Sequence, residues 1–329
     1  MGKNIPGPDA ALDNNAVAPD YARRLAGPMG VDAFNRQIRE QRYTQLANQF
    51  SDTERTWLCS THALAKLLMP QCSALDSIDI YSQAYLVRLT DMLHKSDRLA
   101  VDLVQEQLIR GATIRFRNLE KQIPSSQIFA AAVGSVFHGQ TTINAYLTPG
   151  GQNGFPPHFD NTDVFVIQII GSKHWTLFEH YSHRMALPLG DVAWDPEKYQ
   201  PDDSGTSLVM TPGDVLYIPR GGMHTAGCTE DFSLHLTVSL ESEPMLDRLQ
   251  LLMREWAKHN LTARQRVPED RQQTKDQLVH LAADFFNWLQ LQGNHDNSVQ
   301  PEPISQQQMV DKFNGILTSL AQTVPKPKG

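Results

Sequence analysis

Between Thr141 and Leu240 the chain is a series of short apolar, β-branched runs separated by Gly, Pro and Asp turns. Thr141–Leu147, Val164–Ile170, Trp175–Phe178, Ser207–Met210, Val215–Ile218 and Ser233–Leu240 are the clearest of them. Runs of this length and composition form strands, and turn residues between them fold each strand back on another. Many short strands of this kind predict an antiparallel barrel or jelly roll. The chain is therefore read as a mainly β core with α-helical flanks.

That core carries three residues with metal-ligand chemistry. His158 and Asp160 stand two apart, which in an extended strand puts both side chains on one face. A second imidazole, His224, follows 224 − 158 = 66 residues on and must reach the same point from another strand. Two imidazoles and one carboxylate form the 2-His-1-carboxylate facial triad, which holds iron(II) and leaves positions open for oxygen chemistry. An HxD pair alone is a weak signal. Here both halves lie in strand-like, turn-punctuated sequence.

The flanks read as helical. Residues 1–30, rich in Pro, Gly, Asn and Ala without sustained periodicity, are expected to be a flexible arm. Residues 31–110 form a helical region in which Phe34, Ile38, Tyr43 and Leu46 trace one partly amphipathic stretch. Ser51 with Glu54 makes a capping box that opens a helix to about Met69. Leu86, Leu89, Leu93, Leu99, Leu103 and Leu108 predict a further helix over 82–108. The core is placed at 111–241, beginning with a strand at 111–117 and a helix near 125–136. Glu179–Gly205, with Pro188, Pro196 and Pro201, is expected to be a lid or substrate-side loop. Residues 242–329 return to helical periodicity, with apolar faces at Met245–Trp256 and Leu278–Leu289. A linker follows near 293–303, and then a last helix around 306–323. Those faces allow a homodimer through the helical regions.

Charge and cysteine content narrow the function classes. Lys and Arg number 29 and Asp and Glu 36, a formal net charge of −7. That balance does not suit a phosphate backbone, so no direct nucleic-acid partner is expected, while a basic protein substrate would suit it. Cys59, Cys72 and Cys228 form no CxxC pair and imply neither a disulfide framework nor a structural zinc site. No run approaches the roughly 18 apolar residues of a membrane span. Met1-Gly-Lys-Asn-Ile-Pro lacks an apolar signal segment. A cytoplasmic protein with no membrane partner is expected.

The sequence resembles the JmjC oxygenases of the cupin-4 or ribosomal-oxygenase type. The matching pieces are Asn144-Ala-Tyr-Leu-Thr-Pro, Pro-Pro-His158-Phe-Asp160, Asp163-Val-Phe-Val-Ile-Gln, Gly171-Ser-Lys173-His-Trp175, Pro212-Gly-Asp-Val-Leu-Tyr-Ile-Pro-Arg-Gly-Gly-Met-His224 and Ser233-Leu-His-Leu-Thr-Val-Ser239. They cover roughly residues 110–240. The resemblance implies a double-stranded β-helix, with iron(II), 2-oxoglutarate and oxygen as cofactor and co-substrates. It assigns His158, Asp160 and His224 to the metal and Lys173 to the distal carboxylate of 2-oxoglutarate, where an ammonium supplies charge-assisted hydrogen bonds. It implies that Thr237 shares that carboxylate, that Asn144 and Tyr146 line the same pocket, and that Ser239 lies on the substrate side. Asn161, where the family has acidic or Thr-like residues, is expected to bear on the substrate. The implied activity is hydroxylation of a protein or peptide side chain, with succinate and CO2 as co-products.

Simpler roles remain open for several residues. Tyr146 and Trp175 suit a packed core as well as a pocket. His138, His174, His180, His183 and His235 read as surface or satisfied core imidazoles, and Asp163 and Asp214 as turn or ligand-orienting groups. Two other functions also remain open: a metal cupin enzyme that uses no 2-oxoglutarate, and a non-catalytic dimeric binding module. The HxD order and Lys173 count against the first, and the intact ligand set against the second.

Overall fold

The structure, a computed structural model, describes residues 14–68, 77–82, 85–88, 99–184, 186–190, 192–229 and 232–293. The chain divides into two compact units, Met1–Ser242 and Glu243–Gly329. In the first unit the helices are α1 (Asn14–Arg24), α2 (Val31–Gln37), α3 (Asp52–Leu58), α4 (Thr61–Leu67), α5 (Leu99–Ile109) and α6 (Pro124–Phe137). Its early strands are β1 (Thr44–Leu46), β2 (Ile78–Ser82), β3 (Tyr85–Arg88) and β4 (Thr113–Phe116). Eight more follow: β5 (Gln140–Pro149), β6 (Gln152–Asn153), β7 (Asp163–Ile170), β8 (Lys173–Phe178), β9 (Thr206–Met210), β10 (Val215–Ile218), β11 (Met223–Cys228) and β12 (Phe232–Glu241).

The large sheet runs β1-β10-β7-β12-β5-β4-β2-β3 and the small one β6-β11-β8-β9. All pairs are antiparallel. From β5 onward successive strands pass between the two sheets, except β8 and β9, which pair within the small one; this is the double-stranded β-helix. β12 sits at the centre, paired from end to end with β5 on one side and with β7 on the other.

Strand alternation explains both the core and the site. Phe165, Ile167 and Ile169 of β7, Val215 and Tyr217 of β10, and Leu234, Leu236 and Val238 of β12 pack with Phe129, Val133 and Phe137 of α6 and with Phe34. Their neighbours Val164, Val166, Leu216 and Ile218 point the other way and pack with Trp175, Leu177 and Met210 of the small sheet. Both faces of β7 are thus covered, and its sequence reads as a continuous apolar run for that reason. On β5 and β12 the inner positions are instead polar. Asn144, Tyr146, His235, Thr237 and Ser239 face a cavity between the sheets.

Several segments differ from expectation. Residues 14–30 of the presumed flexible arm form α1 and a turn, with Ala18, Tyr21, Ala22, Leu25 and Ala26 buried in the core. The small residues that looked like disorder let this helix lie close against α6. Residues 31–110 are not purely helical, since they add β1, β2 and β3 to the large sheet. Where one helix was expected over 82–108, β3 occupies Tyr85–Arg88 and α5 covers Leu99–Ile109, while residues 89–98 lie outside the described residues. The leucine spacing misled because Tyr85-Leu-Val-Arg and Ile78-Asp-Ile-Tyr-Ser pair with each other as alternating strands. The Ser51/Glu54 capping box is present, but its helix ends at Leu58 and a second starts behind Ser60, whose hydroxyl accepts from Ala63 N at 3.0 Å. His138 closes α6 in the left-handed conformation, φ 56°.

The second unit holds α7 (Met245–His259) and α8 (Arg271–Gly293), joined by a short 3-10 turn. Trp256 and Phe285 are buried against each other, ring centroids 5.5 Å apart. The expected helix around 306–323 lies outside the described residues. No described helix is long and apolar enough to cross a membrane.

Candidate functional site

His158, Asp160 and His224 converge, each offering a ligand atom within 4.8 Å of the others. The meeting depends on one backbone bridge. His158 N donates to His224 O at 3.0 Å and His224 N to His158 O at 2.8 Å, so the two imidazoles are direct cross-strand neighbours with rings 4.4 Å apart. Each ring is oriented by the carbonyl two residues earlier in its own chain: His158 Nδ1 lies 2.8 Å from Pro156 O, and His224 Nδ1 3.0 Å from Gly222 O. A carbonyl only accepts, so both Nδ1 atoms carry hydrogen, which leaves Nε2 of each ring as the atom that can take a metal. His224 Nε2 stands 3.7 Å from Asp160 Oδ2. Burial, reinforced by the neighbouring His158, pushes the His224 imidazole down to about 4, so it is neutral at physiological pH. Two imidazole nitrogens beside a carboxylate fit one divalent ion with ligand bonds of about 2.0–2.2 Å.

The adjoining cavity has a volume of about 270 Å³. At about 30 Å³ per water-sized unit, that is room for a small diacid. Lys173 enters it from the start of β8, which follows a tight turn at Gly171. A Cβ on Gly171, φ +66°, would stand 2.0 Å from Phe232 O, so the turn requires glycine. Lys173 is 3% exposed, and its Nζ donates to Thr148 Oγ1 at 2.9 Å. Among the described residues no carboxylate lies within ion-pair distance of it. Burial pushes the ammonium down to about 8. Two further cavity groups, Trp175 Nε1 and His235 Nδ1, are buried without a hydrogen-bond partner. His235 stacks on Tyr146 at 5.0 Å, and burial, with the Lys173 charge next, holds its imidazole well below the ordinary range. A buried cation that, among the described residues, has a hydroxyl and the nearby Cys228 thiol but no carboxylate for company, beside unmet polar atoms, is an arrangement that an anionic ligand completes.

Tyr146, Asn144, Thr237 and Ser239 line the cavity too. Asn144 Oδ1 accepts from Asn118 N at 3.0 Å, which fixes the amide and leaves its NH2 for the cavity. Burial pushes the Tyr146 phenol up to about 12. Asn161 does not line the cavity; its Nδ2 donates to Val192 O at 2.6 Å, in the 179–205 segment. Thr148 and Arg115 escaped the sequence reading, and His235, read as a surface or satisfied core imidazole, instead lines the cavity with an unpaired Nδ1. His235 and Thr148 share faces with Thr237 and Tyr146 by the period of two, which was a usable signal. Arg115, a cavity residue held by Asp79, follows from the alternation Thr113-Ile-Arg-Phe on β4. Trp175, left between core and pocket, belongs to both.

Comparison with known proteins gives concordant results. Residues 118–247 match the model of the JmjC domain. A bifunctional lysine-specific demethylase and histidyl-hydroxylase of Drosophila willistoni is 34% identical over 170 residues, 48% of this chain and 21% of that protein. Ribosomal oxygenase 1 of Gallus gallus is 38% identical over 163 residues, 49% of this chain and 27% of that protein. The chain spans 20% to 44% of the length of the curated relatives it matches. Among solved structures, E. coli ycfD is similar over 86% of this chain and 78% of its own, at 17% identity and a TM-score of 0.47. The double-stranded β-helix, the convergence of two histidines and one aspartate at its mouth, and the matched stretch agree. Residues 118–247 of this chain are thus similar to the JmjC domain in sequence and carry its clustered histidines and aspartate.

Proposed function

We propose that the chain is an iron(II)- and 2-oxoglutarate-dependent oxygenase that hydroxylates a side chain of a protein or peptide. The observation carrying this reading is that one cavity holds both the two-histidine, one-carboxylate cluster and a buried ammonium with no carboxylate partner among the described residues. When bound, iron(II) with 2-oxoglutarate and oxygen supplies oxidation of an unactivated C–H bond, with succinate and CO2 as co-products. His158, Asp160 and His224 hold the metal. Lys173 holds the distal carboxylate, helped by Thr237 and by the unmet polar atoms of His235 and Trp175. Asn144 and Tyr146 border the co-substrate, and Ser239 the substrate. The apolar walls, Val164, Val166 and Trp175, keep bulk water from the reacting centre.

The names of the relatives speak of histidyl hydroxylation, lysine demethylation and ribosomes; of these, side-chain hydroxylation is the reading adopted. With a net charge of −7, the chain suits a basic protein partner better than nucleic acid. A cytoplasmic location and a homodimer through the helical regions complete the proposal. Aerobic incubation with iron(II) and 2-oxoglutarate alone should yield slow succinate formation from the parent protein. The His224→Ala variant should yield none. Succinate formation that survives this change overturns the ligand assignment, and a parent that makes none above free iron overturns the activity.

A further inference from the structure

The 179–205 segment contacts the metal-binding stretch of the chain at more points than a lid over the cavity would need. His158 is the last residue there with a ladder partner, since Phe159 and Asp160 lie beyond the isolated bridge. By the strand period, His158 and Asp160 face inward and Phe159 faces out. That outward ring is 4% exposed. It is enclosed by Tyr181, Trp194 and Tyr199, with ring centroids 5.8, 5.3 and 4.9 Å away. Trp194 and Tyr199 stack on each other at 5.6 Å. Two polar links reinforce the enclosure. Tyr181 donates through its hydroxyl to Gly221 O at 2.9 Å, and Gly221 N donates to Asp160 O at 2.8 Å. Asn161 donates to Val192 O at 2.6 Å. The segment is itself tied at its base, where Ser182 N donates to Gln200 O at 2.8 Å and Asp202 N to His180 O at 3.2 Å.

We propose that this segment is a brace for the carboxylate ligand: Trp194, Tyr199 and Tyr181 around Phe159, and the Val192 carbonyl on Asn161, fix the residues on either side of Asp160 and so set the direction of its carboxylate toward the metal. The imidazoles do not need it, because each is oriented by a carbonyl of its own strand. Asp160 has no such partner, and its side chain is 42% exposed. Its only restraints among the described residues are the backbone link to Gly221 and the anchored neighbours Phe159 and Asn161. None of the bracing side chains lines the cavity. They are positioning residues, and they act on metal affinity.

The inference rests on His158, Asp160 and His224 being the metal site, and its test separates the two. Cobalt(II) is titrated anaerobically into the 329-residue chain, followed by its visible ligand-field absorption, with the melting temperature of the metal-free protein recorded in parallel. Trp194→Leu and Tyr181→Phe should each weaken cobalt binding, Trp194→Leu by about tenfold, the scale for partners that orient a ligand. Trp57→Leu, a comparable loss from the core near α6, should lower the melting temperature and leave cobalt affinity unchanged. The removal of only a hydroxyl in Tyr181→Phe keeps the test valid should Trp194→Leu fail to fold. Cobalt affinity within twofold of the parent in the bracing variants, with His224→Ala unable to bind, overturns the brace. Cobalt binding unchanged in His224→Ala overturns the metal site itself, and the brace with it.

Discussion

Lys173 is a residue whose burial is costly to the fold and whose proposed role is to hold the co-substrate. Its ammonium is buried and pushed down to about 8. The folded state therefore binds fewer protons than the unfolded one between about pH 8 and the ordinary lysine range, and stability of the ligand-free protein rises with pH across that window. A bound dicarboxylate has the opposite preference, because it needs the ammonium form. Calorimetry with manganese(II) in place of iron should show 2-oxoglutarate affinity falling as pH rises through about 8, by up to about tenfold per unit. Lys173→Met should weaken binding about ten- to hundredfold and flatten that pH profile. It should not lower the melting temperature of the ligand-free protein, since it removes a buried charge with no carboxylate partner among the described residues. A pH-independent affinity in the parent would reject the assignment. The residues legible in sequence were those with unusual chemistry at a telling spacing, His158, Asp160 and His224. His235, Thr148 and Arg115 were not singled out, because their role comes from a cavity that exists only once two sheets close over it.

At the scale of elements, the capping box at the start of α3 does more than end-capping. Glu54 accepts from Ser51 N and Ser51 Oγ, both at 2.8 Å, and from Arg24 at 2.7 Å, so it ties α1 to α3. Burial alone would raise its pKa, but these donors outweigh burial and hold the carboxyl below the usual range. The stability it contributes is present above the unfolded carboxylate pKa and is lost as pH falls through the lowered folded value. Glu54→Ala should cost about 1–2 kcal/mol, lowering the melting temperature by about 2–4 °C per kcal/mol in a unit of this size. The cost should shrink toward pH 3; a cost unchanged there would rule out the ionised interaction. The strands from β7 to β12 were legible because bounded apolar runs with Gly, Pro and Asp between them leave few alternatives. β11 was less so: Met223-His-Thr-Ala-Gly-Cys has little β-propensity, and it is a strand because β8 and β6 pair with it. The misreading over 82–108 has the same cause. Leucines at helical spacing are compatible with either structure, and partner strands decided it.

The whole molecule consists of a β-helix unit and a helical unit, each with its own core. In the helical unit Leu246, Leu249, Met253, Leu278 and Phe286 are exposed while Trp256 and Phe285 are covered. Exposed apolar side chains in such number on two helices support the proposed homodimer. Light scattering at micromolar concentration should give twice the chain mass, and a Leu249→Glu, Leu278→Glu double variant should give the single mass. A parent that scatters as a monomer at those concentrations would exclude dimerisation. In the first unit, β5, β7 and β12 each divide their residues between the helix layer and the interior. A one-residue slip of β12 would drive His235, Thr237 and Ser239 into the oily layer beneath α6 and turn Leu234, Leu236 and Val238 toward the cavity. An error of that kind admits no half-working form. The same zipper of alternating side chains that makes the protein cohere also proofreads its active centre, so a molecule that has folded tightly has, by that fact, assembled its chemistry correctly.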